Sequence, residues 1–453
     1  MPQPPVPKRS RGAASRARLT LFPQQSEKRP LSDTPVTLGE IERAQCLIAG
    51  AIAATPTVEA PAISERVGAE IFLKLETQHR TGSFKERGAL NKLLSLDERA
   101  RKMGVVAMSA GNHAQGVACH ASRLAIPATI VMPEGTPFIK IERTEAFGAR
   151  VVLKGSSLTA AHEAADALAR EKGLTFVHPY DDPQIIAGQG TIALELLAEK
   201  PDLDAVIVPV GGGGLISGIA IALKALRPAI EIIGVQAALY PSMYRLLKGE
   251  DPGPPSNLPT LAEGIAVKEP GHMTREIVRS LVSEIRLVEE AEIEAATLFL
   301  AEHQKLIVEG AGAAGVAAVL AAPGRFAGRR VAIILSGGNI DSRLFASLLM
   351  RGLVREGRLV RLRAELPDVP GALSRISGVI GSRGGNIVEV HHQRLFHDIS
   401  VKRAELDIVV ETQNRRHVEA LIEALLAAGF PTRLINGSAE PGGPSAGYEP
   451  AGS

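Results

Sequence analysis

Ser83-Phe84-Lys85-Glu86-Arg87-Gly88-Ala89 places a lysine where the chain turns into a helix. A strand-like run, Glu70 to Glu76, and a turn at Thr81-Gly82 precede it. Leu90, Leu93 and Leu94 follow at helical spacing. This pattern predicts Ser83 as the N-cap and puts Lys85 in the first turn, where the helix dipole gives a cation no support. A lone lysine is most often solvated. One whose amine stays partly neutral can form a Schiff base with a carbonyl carbon.

Three further stretches share this design. Ser109-Ala110-Gly111-Asn112-His113 follows the apolar run Val105 to Met108. Gly211-Gly212-Gly213-Gly214-Leu215 follows Ala205 to Val210. Ser336-Gly337-Gly338-Asn339 follows Val331 to Leu335. Each is a buried-type strand, a small-residue turn and a helix start, the place where open α/β sheets bind ligands. Four successive glycines before a helix leave backbone N–H groups free to surround a phosphate.

Together, in this order and spacing, the four motifs resemble those of the threonine dehydratases (threonine ammonia-lyases), pyridoxal-phosphate (PLP) enzymes of the second fold type. The resemblance covers roughly Thr37 to Met350. The remainder, up to about Ile435, resembles an ACT amino-acid-binding domain. The implied fold is α/β, with two subdomains like the tryptophan synthase β chain, followed by a ferredoxin-like βαββαβ domain.

The resemblance implies roles for individual residues. Lys85 would hold PLP as a Schiff base and take the Cα proton of the substrate. Gly211, Gly212, Gly213, Gly214 and Leu215 would bind the phosphate through backbone N–H groups. Asn112 would hydrogen-bond the pyridoxal 3′-oxygen, and Ser109, with the backbone after it and Asn112 beside it, would hold the substrate carboxylate. Ser336 would face the pyridine nitrogen; read alone, it is a helix N-cap. His113 receives no proton-transfer role. The implied reaction is β-elimination from L-threonine to 2-oxobutanoate and ammonia, with L-serine giving pyruvate.

Two departures bear on this. Serine racemases carry a second serine where this chain has Ala110, which argues against a racemase. Some relatives carry a carboxylate cation ligand where this chain has neutral Gln236, so no metal is expected from that strand. A 3-hydroxyaspartate dehydratase would need a cation for the distal carboxylate. An amino-acid-sensing binding protein would not need Lys85 with all its partners. In the ACT-like region, Asp368, Gly371 and Asn386 match effector-binding positions. Isoleucine or valine feedback fits a biosynthetic enzyme; a catabolic one would use another effector or none. A homodimer or homotetramer is the family expectation.

The elements that must position these residues follow from pattern. The 453-residue chain is 45% apolar and 22% charged, with net charge +2, so nothing attracts it to nucleic acid or membranes in general. Tryptophan is absent and aromatics are 3%, which weakens a base-stacking reading. Cys46 and Cys119 make no disulfide framework, and a cytoplasmic location is the default. No apolar run is long enough to span a bilayer. Residues 1–36 read as a disordered basic tail and 37–350 as the catalytic domain, with a smaller subdomain at about 73–173. A linker is expected at 351–357, the ACT-like domain at 358–436 and a Gly/Pro/Ser-rich disordered tail at 437–453. Thr37-Leu38-Gly39-Glu40 has capping-box spacing. Gly188-Gln189-Gly190 reads as a turn into a helix.

Overall fold

The computed structural model describes residues 36–252, 258–393 and 402–435. The basic tail, up to residue 35, and the C-terminal tail lie outside the described residues. Residues up to Asn339 form one compact unit and those from Ile340 a second.

The first unit is built on a six-stranded sheet ordered β1-β2-β10-β7-β8-β9. The strands are β1 (Thr57–Glu59), β2 (Glu70–Leu75), β7 (Ala205–Pro209), β8 (Glu231–Ala237), β9 (Glu284–Val288) and β10 (Arg330–Leu335). All pairings are parallel except that of the edge strand β1. Ile71, Leu73, Ile207, Val331 and Ile333 enter the core on one face; Phe72, Val206, Val208, Ala332 and Ile334 enter the core on the other. Burial on both faces is why these strands read as unbroken apolar runs. Helix Gly310–Ala321 covers the first face. Helices Leu38–Ile48, Pro183–Glu199 and Gly214–Leu226 cover the second. The capping box forms as its spacing predicts: Thr37 caps the first helix, and its N–H donates to Glu40 at 2.8 Å.

A smaller parallel sheet, ordered β5-β4-β3-β6, comprises β3 (Val105–Met108), β4 (Ala128–Met132), β5 (Arg150–Leu153) and β6 (Thr175–Phe176). The expected start of this subdomain near Leu73 is corrected, because Leu73 pairs with Ile333 inside the larger sheet. Helix Lys85–Leu94 packs Ala89 and Leu93 into the smaller core beside Val105 and Val117. Gly188-Gln189-Gly190 is not a turn: it lies inside helix Pro183–Glu199. A Cβ on Gly188 would sit 2.6 Å from the Cα of Gly88, so these glycines let two helices touch backbone to backbone.

In the second unit, β11 (Leu359–Pro367), β12 (Asn386–Gln393), β13 (Arg403–Glu411) and β14 (Thr432–Leu434) form an antiparallel sheet ordered β12-β13-β11-β14. With helices Ala372–Ser382 and Arg415–Ala427 this is the expected βαββαβ arrangement. The linker expected at 351–357 is instead mostly helical. Residues Ser342–Glu356 form one helix, capped by Asp341 and ended by Gly357 at φ 70°. That helix belongs to the second unit, so the boundary falls after Asn339 rather than at Met350. Among the described residues, no helix is long and apolar enough to cross a membrane.

Candidate active site

Lys85 is placed by the strand beside it. At the end of β10, Gly337 bridges Ser83, and Phe84 N–H donates to the Ser336 carbonyl at 3.1 Å. The helix then starts at Lys85. Ser83 does not cap it, correcting the sequence expectation: the N-cap position is Phe84, without a side-chain bond, and the Ser83 hydroxyl is buried without a partner. Lys85 Nζ donates to the Pro179 carbonyl at 2.7 Å. Burial lowers its pKa to about 8, with Glu309 pulling the other way. Its neutral form is therefore far more populated near neutral pH than that of a solvated lysine, as a Schiff-base lysine requires.

Two positions on, Arg87 points away from Lys85 into a buried polar network. It donates to Glu76, to Glu195 and to Thr191 Oγ. Lys74 Nζ adds contacts to Glu195 at 2.9 Å and Glu199 at 3.2 Å. Glu86, in between, accepts from Thr81 N–H and faces His120 Nε2 at 3.0 Å. These bonds fix the first helical turn in rotation and height.

Asn112 opens helix Asn112–Arg123 after β3. Its Nδ2 donates to Glu309 Oε1 at 2.8 Å, and its Oδ1 accepts from Asn339 Nδ2 at 2.8 Å. Ser109 Oγ accepts from Gly111 N–H at 3.1 Å, shaping the turn before that helix. His113 points elsewhere: Nε2 lies 2.9 Å from the Val177 carbonyl, and burial, with the charge of Lys85, lowers its pKa to about 3. A neutral, buried histidine fits the absence of a proton-transfer role.

The four-glycine turn joins β7 to helix Gly214–Leu226. Gly213 has φ 97°, which favours glycine, and a Cβ there would meet Thr274 at 2.7 Å. A Cβ on Gly212 would overlap the Tyr180 ring, and one on Gly214 would lie 2.7 Å from the Tyr180 carbonyl. The Gly212 carbonyl is turned away into the Thr274 hydroxyl at 2.6 Å. The first N–H groups of a helix have no intrahelical acceptor, so this turn offers donors and positive dipole to an anion. Tyr180 follows Pro179, whose carbonyl receives Lys85, so one short segment touches both the amine and the glycine turn. Ser336 is buried where β10 ends; it is not an N-cap, since Asp341 caps the following helix. Gln236 accepts from Tyr244 N–H at 2.9 Å.

Sequence reasoning gave no role to Glu309, Tyr180 or Arg87. Glu309 carried a signal: a carboxylate opening an otherwise uncharged Ala/Gly helix. Burial raises its pKa to about 7.

The matching effector positions do not converge within one chain. Asp368 and Gly371 follow the end of β11, with Gly371 at φ 83° before helix Ala372–Ser382. Asn386 pairs with Glu411, which pairs with Leu359 at the start of β11. The length of β11 separates them, about 27 Å at strand rise.

An amine kept partly neutral, a glycine-lined helix N-terminus and a buried hydroxyl follow the C-terminal ends of the neighbouring strands β2, β7 and β10. This donor set fits pyridoxal phosphate: a carbonyl for Lys85, a dianion for the glycine turn and a ring for Asn112 and Ser336. Residues 48–337 match the family of pyridoxal-phosphate dependent enzymes, and residues 360–430 match the ACT domain. The chain is 45% identical over 400 residues to an L-threonine ammonia-lyase of Thermotoga maritima, covering 88% of this chain and all of that protein. The processed form of threonine deaminase isoform 2 from Solanum lycopersicum superposes with a TM-score of 0.65 at 34% identity, covering 72% of this chain and 93% of that one. A serine racemase from Dictyostelium discoideum superposes with a TM-score of 0.63 at 36% identity, covering 68% and 99%. The chain belongs to the pyridoxal-phosphate dependent enzyme family, among its L-threonine ammonia-lyase relatives, with an ACT domain following the catalytic region.

Proposed function

We propose that the protein deaminates L-threonine to 2-oxobutanoate and ammonia, and L-serine to pyruvate. The observation that carries this reading is the Lys85 amine, lowered to about 8 by burial and joined through Pro179 and Tyr180 to the four-glycine turn. Pyridoxal phosphate, when bound, supplies a carbonyl carbon for the amino group and an electron-withdrawing ring that acidifies Cα–H. The chain does the rest. Gly211 to Leu215 hold the phosphate by backbone N–H groups. Ser109 and the N-terminus of helix Asn112–Arg123 orient the substrate carboxylate. Lys85, as a free amine, would take the Cα proton, and the β-hydroxyl would leave as water, so that the elements of Cα–H and OH are lost together. The released enamine tautomerises to an imine, which water hydrolyses to the oxoacid and ammonia. Ser336 is neutral and leaves the ring nitrogen without a carboxylate partner, which favours prompt elimination over a long-lived carbanion.

Solved racemases share the fold, but Ala110 supplies no acid on the opposite face of Cα. Elimination is therefore the reading, and product analysis with L-threonine and L-serine tests it. Appearance of D-amino acid in place of oxoacid would reverse it.

The ACT domain supports control by an amino acid, and isoleucine inhibition opposed by valine fits a biosynthetic role in the cytoplasm. Because Asn386 lies a strand's length from Asp368 and Gly371, an effector touching all three would bridge two copies of the chain, one supplying the loop and the other Asn386. That separation supports a homodimer or homotetramer.

A further inference from the structure

Asn339 Nδ2 donates to the Thr81 carbonyl at 2.6 Å and to Asn112 Oδ1 at 2.8 Å. A carbonyl cannot donate, so Thr81 fixes which end of the Asn339 amide faces inward. Both hydrogens of that nitrogen are then committed. Asn112 must turn its oxygen to Asn339 and its nitrogen to Glu309 Oε1, 2.8 Å away. Hydrogen bonding runs one way along this line, ending on the Oε1 of Glu309. Glu309 takes one Nδ2 hydrogen of Asn112, and the second remains for an acceptor in the cleft.

The surroundings hold this arrangement. Glu309 N–H donates to the Gly337 carbonyl at 3.1 Å. A Cβ on Gly337 would lie 2.6 Å from Glu309 Oε1 and 3.2 Å from Asn112 Nδ2. A Cβ on Gly82 would lie 2.7 Å from Asn339 Oδ1. Three separate segments, at Thr81–Gly82, Glu309 and Gly337–Asn339, thus hold the Asn112 amide directly or through Asn339, and both glycines are spaces that the network fills.

We infer that Glu309 and Asn339 are positioning residues that lock the Asn112 amide with an N–H, never its oxygen, toward the ring oxygen of the bound cofactor. The inference rests on the reading of Asn112 as the partner of that oxygen. A flipped amide would set one oxygen against another. The locked amide stabilises the deprotonated ring oxygen, and the Glu309 oxygen behind it holds the donor in place whether or not that carboxyl carries a proton.

The test uses the full-length holoenzyme and the pH midpoint of the bound cofactor's visible absorption. Asn112→Ala removes the donor and is expected to raise the midpoint by about one pH unit. Glu309→Leu and Asn339→Ala leave Asn112 in place but free to flip, and should move the midpoint in the same direction. Glu309→Gln keeps an oxygen that can accept from Asn112 and should stay close to wild type. Wild-type midpoints in Glu309→Leu and Asn339→Ala, with a shift in Asn112→Ala, would overturn the positioning role. No shift in Asn112→Ala would overturn the reading of Asn112 itself. Should Glu309→Leu fail to fold, Asn339→Ala decides the matter alone, since it leaves the Glu309 helix untouched.

Discussion

Arg87 grips Glu76 with two parallel hydrogen bonds, Nε to Oε2 at 2.7 Å and Nη2 to Oε1 at 2.9 Å. Both side chains are essentially closed to solvent, and Arg87 also reaches Glu195 from the same guanidinium. Burial alone would raise Glu76, but Arg87 and His79 overturn it and hold the carboxyl well below the usual range. Arg87→Met would leave a buried charge without its partner, at a cost of about 3–5 kcal/mol. The expected result is a large fall in the urea midpoint. Because the folded pKa of Glu76 is depressed, its contribution is complete above its unfolded value and is lost as pH falls. Urea midpoints of the wild type should therefore drop between about pH 5 and pH 2. A variant with an unchanged midpoint would show that the network does not hold the helix.

Lys85→Ala should abolish turnover, since it removes both the attachment point and the base for Cα. Near-native 2-oxobutanoate production by this variant would sink the assignment. In the wild type the amine must be neutral to accept a proton. With its pKa lowered to about 8 by burial, kcat is expected to rise with pH and level off above that value. A kcat independent of pH below neutrality would argue for another base.

We propose that Ala110 directs the reaction to elimination rather than racemisation. L-Serine should give pyruvate with little D-serine, as measured by chiral chromatography. Ala110→Ser should raise the D-serine share. Comparable amounts of pyruvate and D-serine from the wild type would overturn this.

Control by the second unit can be tested by removing it. Cutting at Met350 would sever helix Ser342–Glu356, so the chain should end at Asn339. This shortened protein should keep cofactor and activity and lose its response to isoleucine. Allosteric coupling is typically about 1–3 kcal/mol, or roughly 5–150-fold in affinity. Threonine saturation curves for both chains, with and without isoleucine, make the comparison. Identical responses would leave the ACT domain an assembly role alone.

Strands β3, β7 and β10 were legible because each is an almost wholly buried apolar run that ends in a small-residue turn. Lys85, Asn112, the glycine turn and Ser336 were legible as motifs for the same reason. What the sequence hid is set by partners far away in the chain. Ser83 looks like a cap, yet Gly337 bridges its backbone and carries it out of capping position. Gly188 and Gly190 look like a turn, because nothing local shows that Gly88 will press against one of them. Glu309 and Asn339 acquire meaning only when Asn112 arrives between them, more than 190 residues away from the first and 220 from the second.

The contact between Gly88 and Gly188 has a counterpart on the next helix, where a Cβ on Gly218 would lie 2.6 Å from Gly190 N. From the lysine helix to the phosphate-turn helix, the stack is backbone on backbone at both steps. Side chains repack, and a spacing set by them drifts with temperature and substitution. Here the interval between the backbone of the lysine helix and that of the helix after the glycine turn is set by main chain, so it works as a fixed gauge. Any side chain added at Gly88, Gly188, Gly190 or Gly218 would lengthen that gauge. It would therefore change which aldehyde the protein can seat before it changed which amino acid it can process.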